Sequence, residues 1–154
     1  MATSNIVRVQ RAYACAAETI YDAWLEPDTA RHFFFATPPR GEVIRCEIEP
    51  GVNGSFTIVD RRALEGDSSV MDMEHCGRFL QLDRPRRIAF SFSLPQFQDT
   101  PTTVIIDIEP QGDGCELTLR HDLGPGDDAR DMMAPAEAGW TQMLANLEQA
   151  LKQG

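Results

Sequence analysis

The sequence predicts an α+β domain: a curved antiparallel sheet of about seven strands wrapped around a long C-terminal helix, with two short helices after the first strand. Three observations predict it. Residues 6–13 set Val7, Val9 and Tyr13 against Arg8 and Gln10, and the same period of two returns from Val43 to Asp122. The connections between those later strands are too short for crossover helices, so the sheet is an antiparallel meander. Near the C-terminus, Trp140, Met143, Leu144, Leu147 and Leu151 recur at the spacing of one helical face.

Each element follows from local pattern. After the first strand, residues 16–25 carry helical spacing through Ile20, Tyr21, Trp24 and Leu25 until Pro27 interrupts it. Residues 28–35 read as a second short helix running into a loop, and Pro38-Pro39-Arg40-Gly41 ends the helical region. Strands are expected at 43–49, 55–60, 70–82, 87–94, 103–109 and 115–122. Between them lie the turn Pro50-Gly51-Val52-Asn53-Gly54, a polar loop at 64–69, and the turn Asp83-Arg84-Pro85. A proline-bounded loop at 95–101 and the turn Gln111-Gly112-Asp113-Gly114 complete the connections. Residues 124–128 read as a loop and Asp131-Met132-Met133 as a short helical turn, because Pro135 has no amide to give a continuous helix. The final helix is expected to open at Pro135, with Glu137 near its positive end. Twisted strands give the sheet a concave face, and a helix apolar on one side buries its stripe there. A wide sheet leaves a cavity beneath it.

With 154 residues, 42% hydrophobic and 25% charged, the chain reads as one globular domain over residues 1–154. The net charge of −10 argues against nucleic acid and anionic membrane surfaces as partners. No apolar run approaches the ~20 residues of a membrane span, and Met1-Ala2-Thr3-Ser4-Asn5 does not start like a signal peptide. Cys15, Cys46, Cys76 and Cys115 have no metal-ligand spacing and lie in or beside strands, which fits reduced thiols and a cytoplasmic location. No nucleophile elbow, phosphate loop or HExxH stands in the chain, so neither a cofactor nor a metal is expected.

Several motifs carry a resemblance. They are Ala23-Trp24 with Pro27, the turn Pro50 to Gly54 followed by Ser55-Phe56, and Gly77-Arg78-Phe79 with Asp83-Arg84-Pro85-Arg86-Arg87-Ile88. Leu117-Thr118-Leu119-Arg120-His121 and Gly139-Trp140 with Leu144 and Leu147 complete the set. In this order they resemble the START-like (SRPBCC, birch-pollen-allergen-like) superfamily, and within it the branch named after the activator of heat-shock protein 90 ATPase. The resemblance covers essentially the whole chain and implies a helix-grip fold. It implies no single function, because the superfamily holds lipid carriers, hormone receptors and cyclases alike. The branch's co-chaperones carry a further amino-terminal domain, whereas this chain starts almost directly at its first strand, which ranks that role last.

Strand parity points to an interior. Met71, Met73, His75, Gly77 and Phe79 share one face; so do Ile88, Phe90, Phe92 and Leu94 on the next strand. Val104, Ile106 and Ile108, then Cys115, Leu117, Leu119 and His121, continue it. His75 and His121 therefore have two readings: core imidazoles bonded to a neighbour, or polar handles on a cavity wall able to act as acid–base groups. No catalytic residue is assigned beyond these two candidates. The candidate ligand contacts on the sheet are Met73, His75, Phe90, Phe92, Ile106 and His121. On the helical segments they are Trp24, Phe33, Phe34, Phe35, Met132, Trp140 and Met143. Three consecutive phenylalanines cannot share one helix face, so at least one ring is expected at a cavity mouth or a partner surface. Met132-Met133 reads either as a gate or as a packed helix end. Arg8 and Arg120 read as solvated outer-face residues, or as partners for an acidic ligand group.

The leading expectation is non-enzymatic binding of a small hydrophobic ligand, a lipid or polycyclic aromatic, between sheet and closing helix. A cyclase-, dehydratase- or hydrolase-type enzyme using His75 or His121 is the first alternative. A co-chaperone-like interaction module, with a homodimer or a chaperone-type protein as partner, is the second.

Overall fold

The computed structural model describes residues 4–38, 40–63, 69–95 and 98–153. Strand β1 (Ile6–Tyr13) leads into helices α1 (Ala17–Ala23) and α2 (Pro27–Ala30). A meander follows: β2 (Gly41–Ile48), β3 (Ser55–Ala63), β4 (Val70–Asp83), β5 (Arg87–Leu94), β6 (Gln98–Gln111) and β7 (Gly114–Asp122). The short α3 (Asp127–Asp131) and the long α4 (Met133–Gln153) close the chain. The strands form one seven-stranded antiparallel sheet in the order β1-β7-β6-β5-β4-β3-β2. β1 joins it by pairing with the last strand, from Ile6 opposite Asp122 to Tyr13 opposite Cys115.

The alternation predicted from the sequence places the core on one face. On β7, Cys115, Leu117, Leu119 and His121 are buried while their neighbours are half-exposed. Register shifts at Val43/Arg45, Phe79/Gln81 and Phe92/Leu94 interrupt the ladders. Such irregularities bend a strand and increase its twist, which deepens the concave side. α4 lies on that side with Trp140, Leu144, Leu147 and Ala150 buried. It is pinned to β1 by two contacts: the Tyr13 hydroxyl donates to the Leu144 carbonyl at 2.7 Å, and Arg11 pairs with Glu148 at 2.6 Å. Burial pushes the Tyr13 phenol well above its ordinary pKa, so it stays a donor.

The structure corrects several expected boundaries. β6 begins at Gln98 rather than after Pro101. Pro101 is tolerated because β7 pairs with β6 only from Thr103, and the β5 partner is irregular between Phe92 and Leu94. α4 starts at Met133, so Pro135 sits in its first turn, where an amide would have no intrahelical acceptor. The preliminary helical turn comes earlier than expected, at Asp127–Asp131. β3 runs on to Ala63, beyond the expected end at Asp60, because Asp60 and Arg62 keep the strand's parity. The polar loop at 64–69 lies outside the described residues except for Ser69.

The helix expected over residues 28–35 is shorter in the structure, and the Phe33–Phe35 run lies beyond its end. α2 ends at Ala30, and in the following turns Phe34 stacks on Phe35 with ring centroids 4.7 Å apart. Phe33 and Phe34 meet Trp24 edge-on at 4.9 and 5.0 Å. Phe35 takes a positive φ of 54° and swings its ring toward β4 and α4. All three rings are buried, so none of them forms a partner surface, and Phe35 is the ring of the three that lines a cavity.

Gly77 shows how tightly the concave face is filled. A Cβ there would collide with the Ser91 carbonyl oxygen and the Phe56 ring. Gly77→Ala is expected to destabilise the fold by about 1–3 kcal/mol in urea unfolding, since backbone as well as a ring must shift. An unchanged midpoint would show that β4 and β5 can separate freely at this point.

Candidate ligand cavity

A cavity of about 270 Å³ lies between the sheet and the first turns of α4. Phe35, Phe92, Trp140 and Met143 form its apolar walls, and His75 and His121 are set among them. Of the residues singled out from the sequence, these six and Met132 come together. Met132 stands at the rim, 54% exposed, in the junction between α3 and α4. The others do not reach the cavity. Trp24, Phe33, Phe34, Phe90 and Ile106 are wholly buried, sealed in the core by aromatic and aliphatic neighbours. Met73 shares the face of His75 but lies half-buried outside the lining. The cavity is therefore not central: side chains fill the middle of the grip, and this space lies at its α3–α4 end.

Phe35 is the reason. Its ring stacks on His75 at 4.2 Å with planes 10° apart, and lies 5.5 Å from the Trp140 ring. Its backbone N–H points to the Met143 sulfur at 3.3 Å. Thus Trp140 meets His75 through Phe35, and no ligand-sized gap separates them.

The hydrogen bonds of His121 determine its tautomer. The Trp140 indole N–H donates to Nδ1 at 3.0 Å, so Nδ1 carries the lone pair and Nε2 the proton. Nε2–H then donates to the Thr102 hydroxyl at 2.8 Å. His75 Nδ1 faces the Ile58 carbonyl at 3.4 Å and must be the donor there, which leaves Nε2 as the acceptor. Burial depresses both imidazoles to about 4; the nearby Arg62 charge lowers His75 further, against Asp60, while Asp122 opposes the shift at His121. Both rings are neutral at pH 7.

One polar feature of the wall does not stand out in the sequence. Arg62 lines the cavity, and its Nε donates at 2.7 Å to Asp60, a carboxylate with no exposed surface. Thr37 donates to the same Asp60 oxygen at 2.6 Å. The available signal was parity: Asp60 and Arg62 continue the inward series of Phe56 and Ile58 on β3. Gly139 also lines the cavity, and a Cβ there would meet no heavy atom within 4 Å. Arg8 is exposed, and Arg120 pairs with Asp107 at 3.1 Å, so neither approaches the cavity. Among the described residues no group of three or more His, Cys, Asp or Glu side chains is placed to hold a metal ion, and no helix is long and apolar enough to cross a membrane.

The two depressed histidines make stability depend on pH. Their folded pKa values lie below the ordinary value, so between about 6.5 and 4 the unfolded chain binds protons that the folded chain refuses. Stability is full above that window and falls as pH drops through it, by about 3 kcal/mol for each ring at the lower end. Urea midpoints measured from pH 7 to 4.5 are expected to decline, and His121→Gln to flatten the decline. A flat wild-type profile would contradict the burial of two neutral rings.

Comparison with known proteins places this geometry in a family. The model of the Activator of Hsp90 ATPase homolog 1-like protein family matches residues 14–152. Among solved structures, a protein from Rhodobacter sphaeroides is similar at 21% identity with a TM-score of 0.80, covering 99% of this chain and 96% of that one. A protein of unknown function from Staphylococcus aureus is similar at 13% identity and TM-score 0.78, covering 99% and 96%. One from Nitrosomonas europaea is similar at 17% identity and TM-score 0.77, covering 96% and 94%. Among curated proteins, none matches the sequence. At these identities the structures speak for the helix-grip fold alone. The family match spans nearly the whole chain and coincides with the meander, the closing α4 and its Gly139-Trp140 pair: the chain belongs to the Activator of Hsp90 ATPase homolog 1-like protein family.

Proposed function

We propose that the protein binds a small hydrophobic ligand in the cavity between the sheet and α4, without transforming it. The observation that carries this reading is the cavity of about 270 Å³ walled by Phe35, Phe92, Trp140 and Met143. Apolar surface of this kind supplies affinity through burial at ~25 cal/mol per Å², and a few polar groups orient the guest. The size favours a compact aromatic body over a long extended chain.

Gly139 supports the same reading. Glycine inside a helix costs about 1 kcal/mol relative to alanine. Packing does not require it here, since a Cβ would point into open space. Its missing side chain leaves room in the cavity.

The enzymatic alternative rests on His75, which lines the cavity. A ring held near pKa 4 is a weak base at neutral pH, and both nitrogens of His121 are already engaged. Binding is the better account of two such rings. The interaction-module alternative loses its surface argument, because Phe33, Phe34 and Phe35 are all buried.

Filling the cavity tests the proposal directly. Gly139→Leu is expected to remove saturable quenching of Trp140 by naphthalene-class ligands while leaving the melting temperature unchanged or higher. Equal quenching in the variant and the wild type would place binding elsewhere and overturn the proposal.

A further inference from the structure

We propose that the cavity selects ligands carrying a carboxylate, and that Arg62 is the group that receives it. This rests on the cavity being the ligand site and specifies what enters it. Among the described lining residues Arg62 is the only one that is charged at neutral pH, because His75 and His121 are held neutral by burial. A single cation set in an apolar wall discriminates by charge. Its pairing with Asp60 goes through Nε alone, so the terminal N–H donors remain as the cationic edge that meets an anion.

The support behind Arg62 is built for orientation. Asp60 is a charged side chain with no exposed surface, a costly arrangement unless it is paired and hydrogen-bonded. It is held from two sides on one oxygen, by Thr37 at 2.6 Å and by Arg62 Nε at 2.7 Å. Backbone crowds it as well: a Cβ on Gly41 would come within 2.9 Å of both Asp60 oxygens. A carboxylate so confined cannot follow a mobile partner, so it fixes the guanidinium. Guanidinium has five N–H donors, and the bond to Asp60 uses only the Nε–H. The two terminal nitrogens present the planar fork that matches a carboxylate in bidentate fashion. The Arg62 side chain keeps 34% of its surface exposed, which leaves that fork accessible.

The ligand class that follows is a compact aryl carboxylate: the ring lies against Phe35, Phe92 and Trp140, and the acid reaches Arg62. A neutral molecule of the same shape fills the same space without the charged contact.

Calorimetric titration of the full chain with 2-naphthoate and with 2-naphthamide at pH 7 separates the possibilities. The acid is expected to bind about tenfold more tightly than the amide, in line with one charge-assisted contact. The preference is expected to shrink in the double variant Asp60→Asn/Arg62→Met, while amide binding persists. The double change removes both charges, so no buried carboxylate is left unpaired to unfold the protein. Should that variant fail to fold, Asp60→Asn/Arg62→Gln, which also removes both charges and keeps a hydrogen-bonded pair, supplies the same comparison. Equal affinity of acid and amide for the wild type would overturn the carboxylate anchor and leave the cavity reading standing. Binding of neither would overturn both. A preference for the acid that survives in the folded variants would assign the anion to another group and sink the role of Arg62.

Discussion

Phe35 stands where three parts of the chain have to meet. Its ring is held between His75 on β4 and Trp140 on α4, and its backbone belongs to the turns after α2. A positive φ on a bulky residue costs about 1–3 kcal/mol and persists only where the surroundings over-determine it. Here burial of the ring, the stack on His75 and the contact to Met143 supply that determination. Remove the ring and the sheet, the helical insert and the closing helix lose their common contact. The position of the cavity is a result of the same packing. Phe35 occupies the middle of the grip, and the apolar cavity lies beside it toward the α3–α4 end.

Polarity inside this core is arranged by the same elements. Trp140, His121 and Thr102 form a chain of neutral donors and acceptors in which both imidazole nitrogens are engaged. Neutral, satisfied groups can lie against apolar rings at little cost, and they leave the wall uncharged. Against that wall, the Asp60–Arg62 pair is the exception, with a carboxylate buried on the inner face of β3 and a guanidinium at the cavity. The acidic surface implied by a net charge of −10 plays no part in this arrangement.

Much of this was legible in the chain because sheet parity and helical spacing are short-range signals. β1 and β5 have the bounds their alternation predicts, and the stripe from Trp140 to Leu147 is buried as its spacing requires. His75 and His121 could be put on the inner face from parity alone. What parity could not give was depth. Phe90 and Phe92 share a face two residues apart, yet only Phe92 reaches the cavity, because Phe34 and Phe56 cover Phe90. The turn at Phe35 was hidden for a different reason. A positive φ at a phenylalanine is a tertiary outcome with no local sequence signature, so the three rings looked like a helix with one ring left over. Arg62 and Asp60 were visible in principle, as charged residues continuing an apolar parity, but charge on a strand is ordinarily read as outward.

The sheet has two free borders, β1 and β2, and the closing helix treats them differently. α4 is riveted to β1 through Tyr13 and Arg11. Toward β2 it faces a cleft of about 350 Å³ bordered by Arg31, Gly41, Val43 and Asn146. In mechanical terms the molecule is a clamp with one fixed jaw. The side-chain bonds that seat the helix lie on the β1 side, and the β2 jaw, bent by the bulge at Val43, stands across the cleft from it.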